Sequence, residues 1–115
     1  GKMRTVFDTI SDNAANAGVI SGVQKNDPQK FDLRRVGSIV MRNNEVEETG
    51  LGAGVLNDPI TGIIWLVKRL SEYNQKISPG EIILSGSFIR PIEARKGDEF
   101  YADFGDFGFV ECKFN

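Results

Sequence analysis

The sequence contains no histidine. That excludes a Ser-His-Asp triad, a Cys-His pair and any histidine-containing zinc site within this chain. Cysteine occurs once, as Cys112, so no internal disulfide can form, and a reducing, cytoplasmic setting fits. No apolar run approaches the roughly 18 residues that a membrane span needs, and no charged-then-apolar leader marks a signal peptide. There is no basic stripe either. The 14 Lys and Arg are scattered among 16 Asp and Glu, for a net charge of −2, which argues against a nucleic-acid binder. Any chemistry falls to carboxylates, lysine, serine, asparagine, backbone amides or a metal held by oxygen ligands.

What is present suits one soluble globular domain over residues 1–115. Hydrophobic residues make up 40% and charged residues 26%, a balance that excludes disorder over most of the chain. The start at Gly1, with Met3 no natural initiator, fits a processed or truncated piece or a tag remnant. Residues 1–30 lack a clear period; Asp8, Ser11, Asp12, Asn13 and Asn16 are turn and cap formers. Gln24 to Lys30 reads as an exposed loop. Phe31 to Met41 becomes strand-like, Asn43-Asn44 predicts a turn, and Glu45 to Thr49 predicts the returning strand. The Glu45, Glu47 and Glu48 run reads as a solvated strand face.

Gly50, Gly52 and Gly54 lack the strand-to-helix context of a phosphate cradle, so a sharp bend or close backbone approach is the better account. Asp58 to Asn74 predicts the one main helix. Asp58 can cap it and Pro59 suits its first position. Ile60, Ile63, Ile64, Val67 and Leu70 form an apolar stripe that Trp65 and Leu66 broaden, as expected of a helix packed on a sheet or a neighbouring subunit. Glu81 to Ser87 predicts a short apolar strand ending in Ser85-Gly86-Ser87. Glu99 to Phe104 and Phe109 to Phe114 alternate with period two and predict two further strands. Asp103 and Asp106 form a possible carboxylate pair, but solvent-exposed turn residues are the better reading. Cys112 falls on the core-facing set, as a small apolar group. Lys96 reads as surface.

Two stretches carry a resemblance. Asp8-Thr9-Ile10-Ser11-Asp12-Asn13-Ala14-Ala15 resembles the D-T-(I/V)-A-D-N-A-S segment of the 2-keto-4-pentenoate hydratase and 4-oxalocrotonate decarboxylase branch of the fumarylacetoacetate hydrolase superfamily. Gly80 to Phe114, with its Leu84-Ser85-Gly86-Ser87 strand end and its Gly97-Asp98 and Ala102-Asp103-Phe104-Gly105 motifs, is similar to the family's ending. Val36 to Val55 and the helix match in order and spacing between them. The resemblance covers nearly the whole chain and implies the C-terminal half of such an enzyme.

It implies an α+β, β-dominated fold, a mixed β-roll with one main helix, in a lyase acting on small 2-oxo or 2-hydroxydienoate acids by hydration or decarboxylation. It also implies Mg2+ or Mn2+ as a Lewis acid. The family's metal-binding carboxylates and catalytic lysine precede the segment where this chain begins, so no residue here is assigned as a metal ligand. Ser87 and Gly86 become candidate substrate-binding residues, through a hydroxyl and amides at a strand end, against an ordinary strand terminus. Asp12 and Asn13 either line the same cleft or form a local turn. The serine of the D-N-A-S segment is Ala15 here, which removes one donor. The expected partners are a small 2-oxo acid and either a second copy or a missing N-terminal part, with no nucleic acid and no membrane. The rival reading is a catalytically incomplete β module or oligomerisation piece. Hydrolysis of a C–C bond, a third class within the superfamily, normally needs a general base, usually a histidine.

Overall fold

The structure is a computed structural model and describes residues 17–115; Asp12, Asn13 and Ala15 lie outside the described residues. Its centre is one four-stranded sheet: β1 (Gly37–Arg42), β2 (Glu45–Leu51), β3 (Glu99–Asp103) and β4 (Phe109–Lys113), in the order β2-β1-β3-β4. Every pairing is antiparallel, so the expected mixed roll is replaced, among the described residues, by an antiparallel sheet. The single α-helix among the described residues, α1 (Pro59–Ser71), lies in the long connection between the two hairpins.

Local chemistry accounts for each element. Asn43 and Asn44 take φ of 52° and 68°, the two left-handed positions of a tight two-residue hairpin turn, which asparagine tolerates better than most residues. A bulge follows, because Val40 pairs with Glu48 while Met41 pairs with Val46, leaving Glu47 as the extra residue. In α1, Asp58 accepts a hydrogen bond from the Ile60 amide at 2.9 Å, with Pro59 behind it. The helix ends where Asn74 turns to φ 55° and the Gln75 amide donates to Leu70 O at 2.9 Å.

The segment Glu81–Ser87 corrects the sequence expectation. It is apolar, as a buried strand should be, yet it pairs with no strand among the described residues. Ile82 is 70% and Leu84 61% exposed. A strand needs a ladder partner as well as propensity, and the four strands of the sheet are used elsewhere. Cys112 is half-buried rather than buried. Gln24 to Lys30 is exposed but anchored, since Asn26 Nδ2 donates to Phe107 O at 2.6 Å and Gln24 Nε2 to Asp106 O at 2.8 Å.

The core is small. Val40, Val55 and Ser38 are the buried residues among the larger side chains. One sheet face, bearing Ser38, Val40, Phe100 and Cys112, is faced by the segment 87–94, which lines a cleft with Val40, Phe100 and Cys112. The other, bearing Ile39, Val46, Leu51 and Phe109, is open; Phe109 stacks on Tyr101 with ring centres 5.1 Å apart. No residue of α1 is buried, and Ile64, Trp65 and Val67 are exposed. No helix among the described residues is long and apolar enough to cross a membrane.

Candidate substrate-facing site

The segment around Ser87 lies over the covered sheet face because two glycines let it. A Cβ at Gly50 would stand 2.5 Å from Phe88 O and 2.6 Å from Phe88 Cδ2, and one at Gly54 would stand 3.2 Å from Phe88 Cβ. These are the close backbone approaches that the glycine run foretold. An ion pair also crosses the sheet, with Arg90 Nε 3.3 Å from Glu48 Oε1. Glu47 pairs with Arg42 at 2.6 Å, so the glutamate run is a salt-bridged edge rather than a purely solvated face.

Ser87 is exposed, and its hydroxyl donates to Ile89 O at 2.9 Å and accepts from Ile89 N at 3.2 Å. That is a local serine turn. Gly86 has φ 99°, a conformation that a side chain would strain, and space around its Cα is open. The two neighbours line different cavities. Gly86 borders one of about 320 Å3, with Gly52, Val55 and Phe104. Ser87 borders one of about 430 Å3, with Val40, Ile89 and Phe100. A ligand reaching both would have to span the Gly86–Ser87 bend.

Asp103 and Asp106 do not form a working pair. Asp103 accepts from the Gly105 amide at 2.8 Å and Asp106 is exposed on the following turn. Lys96 is exposed as well. The sequence reading overlooked Ser38. It is 4% exposed, its Oγ has no hydrogen-bond partner, and it borders a third cleft of about 1160 Å3 beside Gly50 and Phe88. A lone serine within the strand-like Val36-Gly37-Ser38-Ile39-Val40 run was the available signal.

Two carboxylates have shifted acidities. A hydrogen bond from the Arg34 side chain holds Asp32 below the usual carboxylate range. The Asn43 side-chain amide, then the Arg95 backbone amide, do the same for Asp98. Both belong to structural clasps. Among the described residues, no group of three or more Cys, Asp or Glu is placed to hold a metal ion.

No family model matches the chain. It is 52% identical over 111 residues to 2-oxo-hept-4-ene-1,7-dioate hydratase of Escherichia coli, covering 96% of this chain and 42% of that protein. It is 32% identical over 107 residues to 2-keto-4-pentenoate hydratase of Paraburkholderia xenovorans, covering 93% and 40%. A third relative is 4-oxalocrotonate decarboxylase of Pseudomonas putida, 32% identical over 111 residues, covering 94% and 42%. The fold is similar to solved 4-oxalocrotonate decarboxylase from Pseudomonas putida G7 complexed with magnesium and adipate. The TM-score is 0.88 at 29% identity, over 94% of this chain and 41% of that one. The same enzyme complexed with calcium and acetate gives the same score. The chain thus spans about two fifths of the length of the curated relatives it matches.

Proposed function

We propose that the chain forms the C-terminal portion of a lyase of the fumarylacetoacetate hydrolase superfamily, in the branch of hydratases and decarboxylases to which it is similar. The working enzyme hydrates a small 2-hydroxydienoate or 2-oxo acid. The observation that carries this reading is 52% identity along 96% of the chain to a hydratase. Decarboxylation is the second reading, supported by the TM-score of 0.88 to a decarboxylase. A non-catalytic module is less favoured, because the matched relatives are enzymes of one substrate class.

The complexes with magnesium and calcium support a divalent metal in the complete enzyme. The described residues do not fit that ion by themselves, for want of a carboxylate cluster, and no step is assigned to it here. What this chain contributes is one wall of the substrate site. At Gly86 the missing side chain lets an anionic oxygen approach the backbone. At Ser87 the hydroxyl exchanges its bonds to Ile89 for one to a substrate carboxylate or enolate oxygen, where negative charge develops. Asp12 and Asn13, outside the described residues, are proposed as further substrate-binding residues on the motif resemblance alone. The mixed β-roll is completed by the rest of the enzyme or by a second copy, and the setting is cytoplasmic.

The test is a fusion of this chain to the unmatched part of the Escherichia coli hydratase, assayed with Mg2+ on a 2-hydroxydienoate. Hydration is the expected result. Ser87→Ala should lower kcat/KM by roughly tenfold or more, since a donor to a charged oxygen contributes about 1.5–3 kcal/mol. A folded, metal-loaded fusion without turnover would overturn the activity. An unchanged kcat/KM in a folded Ser87→Ala variant would remove Ser87 from the site.

A further inference from the structure

We infer that Ile82 to Gly86 is a strand without its ladder, and that its partner strand comes from polypeptide corresponding to the part of hydratase-length relatives outside the matched stretch. The inference rests on the reading above that the working unit is of hydratase length.

Three observations carry it. First, across Ile82, Ile83, Leu84, Ser85 and Gly86 no backbone amide donates and no carbonyl accepts a hydrogen bond among the described residues. Unpaired backbone is normal in polar loops, but this stretch is apolar and strand-forming in composition. Ile82 and Leu84, on one side of it, are 70% and 61% exposed. Second, the stretch is anchored at both ends. The Glu81 amide donates to Ser78 O at 3.2 Å, and Ser78 N donates to Glu81 Oε2 at 2.9 Å. Beyond it, Phe88 is seated on Gly50. An unpaired apolar edge held at both ends is ready to accept a strand. Third, the fold keeps a TM-score of 0.88 over 94% of this chain to a protein in which this portion makes up only 41%. The path of the chain is therefore one shared with a protein more than twice as long. That favours a strand from the additional polypeptide over a second copy of this chain.

Pairing along one edge engages every second residue, because successive N–H groups point to opposite sides. The expected signature is therefore a period of two. Amide hydrogen exchange is measured on the 115-residue chain and on its fusion to the unmatched part of the Escherichia coli hydratase. In the chain alone the amides of Ile82 to Gly86 should exchange as an open segment. In the fusion, either Ile82, Leu84 and Gly86 or Ile83 and Ser85 should slow by roughly a hundredfold or more, as ladder amides do.

Of Ile83→Pro and Leu84→Pro, the one that removes a ladder donor should abolish that protection, and the other should weaken it less. Both residues lie outside β1–β4, so far-UV circular dichroism of the isolated chain should stay unchanged for either. If the fusion is insoluble, the same exchange is read on the two parts co-expressed as separate polypeptides. Fast exchange at all five amides in an active fusion overturns the inference and leaves the function standing. Protection that appears in the isolated chain as its concentration rises makes a second copy the partner, and also overturns it. Protection in a fusion that lacks hydratase activity keeps the inference and removes the function.

Discussion

Gly50→Ala tests how the Ser87 segment is held on the sheet. The added Cβ would stand 2.5 Å from Phe88 O, 2.6 Å from Phe88 Cδ2 and 3.2 Å from Ile89 Cγ2. Ordinary contact begins near 3.4 Å, so Phe88 must retreat by about 0.9 Å. The carbonyl is backbone and cannot simply rotate away. The retreat must carry Ser87 and Ile89 with it, or open β2 at its Ser38–Gly50 pair. Overpacking of this kind costs about 1–3 kcal/mol. A domain near 100 residues loses roughly 4–8 °C per kcal/mol, so the melting temperature should fall by about 4–24 °C. Gly54→Ala provides the internal comparison. Its Cβ would stand 3.2 Å from the Phe88 side chain, which can yield by a few tenths of an ångström, so a small loss is expected. Differential scanning fluorimetry on the two variants reads both. A Gly50→Ala melting temperature within about one degree of the parent, or a Gly54→Ala loss as large, would refute the close approach. In the fusion enzyme, a shift near 1 Å at Ser87 should cost up to about a hundredfold in rate.

Asp58→Ala should destabilise the chain by about 0.5–2 kcal/mol through loss of the cap to Ile60 N, read as reduced helical ellipticity and a lower melting temperature. Asp98 gives an acid-limb prediction. Its folded pKa is lowered by the Asn43 and Arg95 donors, so its contribution is complete above the unfolded value near 3.9 and is lost as pH falls through the lower folded value. Asn43→Ala should flatten that part of the stability-against-pH curve, which urea titrations between pH 2 and 6 would measure. Calorimetric titration of the 115-residue chain with Mg2+ or Mn2+ should show no one-site micromolar affinity, because the described carboxylates are dispersed. A clean one-site isotherm would contradict it.

The strands of both hairpins were legible because period-two alternation and turn chemistry are local signals. Asn43-Asn44 sits at the β1–β2 turn, and Asp58-Pro59 opens the helix as expected. Glu81–Ser87 has no ladder among the described residues, because an apolar run reports propensity, while a strand requires a partner that the run itself cannot specify. The helix stripe was read correctly as a face, but Ile64 and Val67 remain exposed, since what covers a face is decided outside it. Ser87 and Gly86 were proposed through motif resemblance. That they open onto different cavities depends on the φ of 99° at Gly86, which sequence does not reveal. Ser38 was missed because one hydroxyl among apolar neighbours looks like an ordinary strand residue. The long-range clasps Asn26–Phe107 and Asn43–Asp98 involve polar residues that sequence can assign only to turns.

The strand order β2-β1-β3-β4 also sets an order of events in folding. Each outer ladder joins neighbours in sequence, so the two hairpins can form on the microsecond scale independently of each other. The central ladder, β1 on β3, brings together residues about 60 positions apart and must close the whole intervening loop. That closure costs roughly 3–4 kcal/mol in chain entropy. Asn43 and Asp98, 55 residues apart, join at this seam through a 2.9 Å bond, with Asn43 Oδ1 accepting from the Glu99 amide beside it. Asn43 therefore has two roles in time: its backbone shapes the first hairpin early, and its side chain locks the second to it late. Substituting the side chain while keeping the turn, as in Asn43→Gly, should leave hairpin formation fast and speed the separation of the two halves.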